Sequence, residues 1–325
     1  MKVPLLWLQD YVSTDKAASQ LAASFTQLGL MLDKSVDNDV LDLEHRLDRS
    51  DWLSILGCAR DLAAFENIPL SMTKVPNHKP TKNQSTIPIT VTTPAVRRFQ
   101  TRIFRGIKVG PSPSWLADRL SAYGIDPVNN IVDITNFVMV EYGQTSHAQD
   151  ISRLPAPEIT LRPAHAGETL TTLLGTKATL TPDEFVLSAG GEAVVIGGIV
   201  GGTKTGVTAT TTDIILDAGN YDSRAIRSSS RRLKIINESV ARNDKLLDPR
   251  LIDPVMDRLT DLILTLAGGV YYSNDDYYPA PVSPQTQTLT LARLRLISGL
   301  VLTLTQAKKT LRALGYSIIE ESPAA

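Results

Sequence analysis

"NNIVDITNFVMVEYGQTSHAQD", residues 129–150, is the stretch on which the reading of this chain turns. Its β-branched and aromatic residues read as buried β-structure. Set into that apolar tract are Asp133, Thr135 and Asn136, and His147 follows just past it, between small polar residues. The chain has only four histidines. One placed there is a candidate for proton transfer. Asp133 and Asn136 serve equally well as turn caps that satisfy backbone groups.

Outward from this stretch, the strand signal runs from 88 to about 220. "TRIFRGIKV", "EITLRPA", "TLTTLLGTKATL", "EFVLSA", "EAVVIGGIVGG" and "TTDIILDAGNY" are β-branched runs separated by Gly, Pro and Asp turns. One amphipathic helix is expected among them at 113–122, with Pro113 in its first turn. Asp217 ends an apolar strand, where it caps a turn or faces a site. "IGGIVGG" (196–202) brings Gly198 to a place where backbone can approach a ligand; "GGTKTG" lacks the Gly-Lys-Ser/Thr order of a phosphate loop. Helices are expected at 222–234 and 249–267. The run "RAIRSSSRRLK" (224–234) holds Arg224, Arg227, Arg231, Arg232 and Lys234 without an acid. It is either a solvated helix face or a phosphate-contacting one.

The remaining segments frame this region. Residues 1–73 read as a small α/β unit, with helices at 15–30 and 51–66 and a strand at 39–44. Residues 74–87 and 271–285 are linkers by composition. Residues 286–325 hold two short helices, at 291–299 and 305–314. The fold class is α+β, with a central domain of antiparallel sheets at 88–270.

Composition narrows the function. Hydrophobic residues are 42% of the 325, enough to bury a core. The formal charge is −1 and the pI about 6.4, so contact with nucleic acid must rest on local patches. A single cysteine, Cys58, excludes an intramolecular disulfide and a cysteine-based zinc site. His45, His78 and His165 share no metal-ligand spacing, so no metal site is expected. Trp7, Trp52 and Trp115 lie on apolar faces and read as core. No run of 18 apolar residues and no signal peptide are seen, so the expected place is the cytoplasm, away from membranes.

The quoted stretch resembles the VDITNYVMLELGQPLHAFD signature of the bacterial phenylalanyl-tRNA synthetase β subunit. "LEHRLDRSDWLSILGCARDLAA", "GIKVGPSPSWLADRLSAYGIDPVNNIVD", "VIGGIVGGTKTGVTATTTDIILDAGNYD" and "RAIRSSSRRLKIINES" resemble further stretches of that family in the same order. The resemblance implies a central tRNA-editing domain at 88–270. It further implies an N-terminal α/β unit lacking the family's inserted RNA-binding barrel, bridged by "KSVDNDV" (34–40), and a partial winged-helix-like module at 286–325. It implies no cofactor in this chain, since the family's ATP site lies on the α subunit and its magnesium ligands beyond the matched segment. The implied partners are the 3′ end of tRNA(Phe) and either the α subunit or a separately encoded C-terminal half.

On the same resemblance, the implied activity is hydrolysis of tyrosine wrongly esterified to tRNA(Phe), with Thr135, Asn136 and His147 around the ester. Gly198, Asp217, Ser239 and Gln149 would form the amino-acid pocket, and the basic run 224–234 would hold tRNA phosphates. Four positions depart from the family. Thr145 stands for a proline, Gln149 for a phenylalanine, Asp217 for a glutamate and Ser239 for an alanine. An aspartate carboxylate reaches roughly 1.5 Å less, about one C–C bond, which leaves room for a smaller or more polar side chain than tyrosine. A tRNA-binding or subunit-assembly module without hydrolysis is the alternative.

Overall fold

The computed structural model describes residues 1–44, 46–82 and 84–319; His45 and the end of the 286–325 segment lie outside them. The chain divides into two compact units. One gathers the described parts of 1–45, 55–73 and 282–325, the other 46–54 and 74–281.

The first unit begins with β1 (Lys2–Pro4), α1 (Leu5–Leu8), α2 (Ala18–Leu28), β2 (Leu32–Asp37), β3 (Val40–Leu43) and α3 (Ile55–Glu66). The strands form an antiparallel sheet in the order β1-β3-β2. Asn38 and Asp39, both at positive φ, make the two-residue turn between β2 and β3. Trp7, Leu21, Phe25, Leu41, Leu43 and Leu62 are buried in this unit. The helix expected at 51–66 starts late, because Ser50–Trp52 is a 3₁₀ turn that precedes α3.

The second unit runs β4 (Ile89–Val91), β5 (Val96–Arg105), α4 (Ser114–Tyr123), α5 (Asn130–Tyr142), β6 (Ser146–Asp150), β7 (Ile159–Pro163), β8 (Thr169–Thr171), β9 (Lys177–Thr179), β10 (Phe185–Ala189), β11 (Glu192–Ile196), β12 (Val200–Gly201), β13 (Ile214–Tyr221), α6 (Ser223–Leu233), α7 (Glu238–Asn243), α8 (Ile252–Leu266) and β14 (Val270–Tyr277). Two sheets dominate. One is ordered β12-β11-β10-β7-β4, the other β14-β5-β13-β6, and β8 with β9 makes a separate hairpin. Every pairing but β4 with β7 is antiparallel. Phe99, Ile103 and Ile215 share one face of the four-stranded sheet, and they pack with Leu161, Val186 and Ile196 of the other sheet in one core. α5 and α8 lie against each other and against strands of the four-stranded sheet.

The segment 282–319 returns to the first unit with α9 (Leu291–Ser298) and α10 (Leu304–Ala313).

The stretch that opens the sequence reading is a helix, not a strand. Asn129 caps α5, its side chain accepting from Ile131 and Val132 N–H at 3.1 and 3.0 Å, and Gly143 ends it at φ 85. Ten of its thirteen residues are buried, so no polar stripe remains to betray the helical period. Pro113 is the N-cap of α4 rather than in its first turn. Trp115 is 38% exposed and edges onto Phe137 instead of lying in the core. Tyr271–Tyr277, read as linker, is strand: β14 pairs along β5, which buries Tyr271 and Ser273.

Candidate active site

Asp217 sits in the middle of β13, not at its end, and β13 is flanked on both sides. Its register partners are Thr101 on β5 and His147 on β6. Side chains on a strand alternate faces, so Asp217 shares the face of Ile215, the face turned to the five-stranded sheet. β6 is the edge strand of its sheet, which leaves 24% of the His147 side chain open while Asp217 keeps 7%.

The resulting pocket has an empty volume of about 410 Å³ counting its open mouth. His147, Gly198, Asp217 and Ser239 line it together with Tyr221 and Asn243. His147 Nδ1 stands 4.0 Å from Asp217 Oδ2. Gln149 lies fully buried beneath, donating to Asp217 Oδ2 at 3.5 Å and accepting from Thr205 Oγ1 at 3.0 Å. Burial pushes the Asp217 carboxyl up to about 7, against a weaker opposing pull from the Gln149 hydrogen bond. Burial likewise draws His147 down to about 4, so its imidazole is uncharged at neutral pH. Such a ring can accept a proton from water.

Glycines shape the rest. Gly198 adopts φ +66, and a Cβ there would meet Ile226 Cδ1 at 2.6 Å. A Cβ on Gly201 would fall 2.5 Å from His147 Nε2, so the open edge of the imidazole lies against bare backbone.

α7 forms the far wall and escapes the sequence reading. The Asn237 side chain caps it, accepting from Val240 N–H at 2.8 Å and donating to the Ile199 carbonyl at 3.0 Å. At its other end the Asn243 amide donates to the Gly198 carbonyl at 2.9 Å and to Thr145 Oγ1 at 3.0 Å. An Asn followed by Glu238 is a helix-start signal, present in the sequence and not used. Nothing in the local pattern marks Asn243.

Thr135 and Asn136 are not brought to this pocket. Both ride on α5, where the Thr135 hydroxyl donates to the Val132 carbonyl at 2.7 Å within its own helix. The five cations of the basic run also divide. Arg232 pairs with the buried Glu184 carboxylate, and Arg227 donates to the Asp244 carbonyl at 2.7 Å. Arg224, Arg231 and Lys234 are exposed, the last as the left-handed cap of α6. His78 hydrogen-bonds Asp261 at 3.1 Å. Among the described residues no group of three or more His, Cys, Asp or Glu could hold a metal ion. No described helix is long and apolar enough to cross a membrane.

Comparison with known proteins follows this geometry. Residues 95–268 match the B3/4 domain family. The phenylalanine–tRNA ligase β subunit of Dehalococcoides mccartyi strain 195 is 33% identical over 90% of this chain and 37% of its own length. That of Rhodopirellula baltica is 34% identical over 98% of this chain and 48% of its own. The chain thus spans between a third and a half of these relatives. The fold is similar to the crystal structure of an N-terminal fragment of the phenylalanyl-tRNA synthetase β subunit from Pyrococcus horikoshii, with a TM-score of 0.51 over 99% of this chain and 91% of that one, at 14% identity. The site-bearing second unit therefore contains a B3/4 domain, and the chain belongs to the family of phenylalanine–tRNA ligase β subunits.

Proposed function

We propose that the second unit hydrolyses the ester of a wrongly charged tRNA(Phe), as part of phenylalanine–tRNA ligase or in trans to it. The observation that carries this reading is the uncharged, half-open His147 imidazole standing beside Asp217 in a pocket bounded by bare backbone at Gly198 and Gly201.

In the proposed step, water adds to the ester carbonyl and gives up a proton to His147 Nε2. The bond from the carbonyl carbon to the ribose oxygen then breaks, and that oxygen takes the proton back from the imidazole. Free amino acid and tRNA leave. Water is the only co-reactant, so the proposal calls for no cofactor in this chain. Arg224, Arg231 and Lys234 offer an exposed basic face to phosphates of the acceptor end. The α subunit, or a separately encoded C-terminal half, would supply the rest of a ligase.

A non-catalytic tRNA-binding or assembly module is the second reading. It is favoured by one observation: Thr135 spends its hydroxyl inside α5 and Asn136 stays outside the pocket. Deacylation by the purified chain separates the two. tRNA(Phe) carrying tyrosine, serine or alanine would be incubated with it, with phenylalanyl-tRNA(Phe) as reference and His147→Ala alongside. Release above background that His147→Ala slows about 100-fold or more supports the hydrolase. Binding of the tRNA with no release of any of them supports the module.

A further inference from the structure

Arg242, on the six-residue helix that walls the pocket, is a charged side chain with no exposed surface. Its Nη1 donates to the Glu238 carbonyl at 3.1 Å and to Glu238 Oε2 at 2.5 Å. Its Nη2 donates to the Tyr123 hydroxyl at 3.3 Å. That hydroxyl donates in turn to Glu238 Oε2 at 2.7 Å, which closes a ring of three groups between α7 and the last residue of α4. Burial pushes the Tyr123 phenol up to about 12, so it stays protonated through the neutral range. Against the cost of its burial, Arg242 holds the Glu238 carboxyl below its usual range. Arg242 Nε is left buried without a hydrogen-bond partner.

A buried ion pair is a poor way to gain stability. Desolvating the guanidinium takes back much of what its partners return, and a well-packed apolar side chain often serves as well. What the pair adds is direction, because the planar fork bonds only along fixed lines. With six residues, α7 is too short to stand without outside contacts. Residues 238 and 242 lie one turn apart on one face, and 239 and 243 lie one turn apart about 100° round the axis. The first pair meets Tyr123, while Ser239 and Asn243 line the pocket. The rotation that Tyr123 fixes is thus the rotation that aims Ser239 and Asn243. A turn of about 10° would carry a side-chain atom about 6 Å from the axis through about 1 Å.

We propose that Arg242 is a positioning residue: by locking Glu238 to Tyr123 it fixes the rotation of α7 and so decides how Ser239 and Asn243 meet the bound ester. The assignment rests on the ester-hydrolase reading above. Neither Arg242 nor Tyr123 lines the pocket, so neither touches the reacting atoms. His147 and Asp217 are placed by strand register and not by α7. Loosening the lock therefore weakens binding of the ester and spares the chemical step, which reads as a rise in KM at constant kcat.

The test is steady-state deacylation by the full chain, on whichever of the three misacylated tRNAs the wild type hydrolyses fastest. Tyr123→Phe removes one hydroxyl and keeps the ring; Arg242→Lys keeps the charge and loses the fork. Arg258→Lys makes the matching change at another largely buried pair, Arg258 with Glu141 at 3.0 Å, which lines no part of the pocket. Tyr123→Phe is expected to raise KM about threefold and Arg242→Lys about tenfold, with kcat within about twofold of the wild type. Arg258→Lys is expected to lower the melting temperature and leave KM and kcat of the folded protein unchanged. A folded Tyr123→Phe protein with unchanged KM overturns the assignment and leaves the hydrolase reading standing, even where Arg242→Lys does not fold. A rise in KM shared by Arg258→Lys overturns it too, because the effect is then one of general stability. A wild type that releases no amino acid from any of the three tRNAs overturns the hydrolase reading and this assignment together.

Discussion

The Asn243 side-chain amide donates to the Gly198 carbonyl at 2.9 Å, which ties the last turn of the short helix α7 to the glycine-built floor of the pocket. Asn243 is buried, and the same amide group reaches Thr145 Oγ1. Replacing Asn243 with alanine takes this donor from the part-buried Gly198 carbonyl and from the buried Thr145 hydroxyl together. Asn243→Ala should cost about 1–3 kcal/mol of stability. Urea denaturation followed by circular dichroism measures it, and a change under about 0.5 kcal/mol would show that water replaces the amide without loss.

Gly201 separates the geometry of the site from its stability. Its φ is not in the left-handed region, so alanine fits the backbone, but the added methyl would sit 2.5 Å from His147 Nε2. The neighbours that must yield are the His147 ring and the tip of Leu173, both side chains. Gly201→Ala should therefore fold with nearly wild-type stability and lose about 100-fold in ester hydrolysis, the order expected when a reacting group is displaced by about 1 Å. Thermal melts and deacylation rates on the same sample decide it.

Asp217 and His147 give stability a pH dependence with opposite signs. The folded-state carboxyl is raised to about 7 from an ordinary 3.8, so folding retains a proton that the unfolded chain releases. Its contribution is full below about pH 4 and is lost as pH rises through about 7. His147, lowered to about 4 from 6.5, binds its proton less readily when folded, and its contribution is lost as pH falls from 6.5 towards 4. Between about pH 4 and 6.5 the two oppose each other; near pH 7 only Asp217 titrates. Asp217→Asn should accordingly gain on the wild type by roughly 2–4 kcal/mol between pH 4 and pH 8. Denaturation curves at pH 5, 6.5 and 8 test the sign. A wild type that gains on Asp217→Asn as pH rises would contradict it.

The basic helix α6 divides into structural and available cations. Glu184 keeps only 1% of its side chain exposed and is held below the usual carboxylate range by Arg232 and Thr181, against the cost of its burial. Arg232→Ala leaves that carboxylate without its partner and should destabilise the unit by about 2–4 kcal/mol. Arg224→Ala and Arg231→Ala touch exposed side chains and should stay within about 0.5 kcal/mol. If this face holds phosphates, those two variants should weaken tRNA binding and flatten its salt dependence. Filter binding at two salt concentrations, beside a melt of each variant, tells the classes apart.

Much of the architecture is legible in local pattern. The amphipathic α2 with Gly29 at its end, the basic α6 and the strands around 159–221 each follow from periodicity and turn chemistry carried within a few residues. The same reading goes wrong where burial is nearly complete. α5 offers no polar face and its β-branched residues mimic a strand, while its boundary marks, Asn129 and Gly143, are single residues easily passed over.

The site divides in the same way. The amino-acid sequence by itself determined which chemistry is on offer: His147 past an apolar tract, Asp217 in an apolar run, and the glycines of 196–202. Only the tertiary structure decided that His147 and Asp217 stand side by side, because strand register joins residues far apart in the chain. It also turned Thr135 and Asn136 away from the pocket, carried on a helix rather than a strand. Asn243 and Tyr221 it brought in, by packing α7 against the Gly198 turn and an aromatic ring over two glycines. Those choices depend on which surfaces are buried together, and no local spacing encodes that.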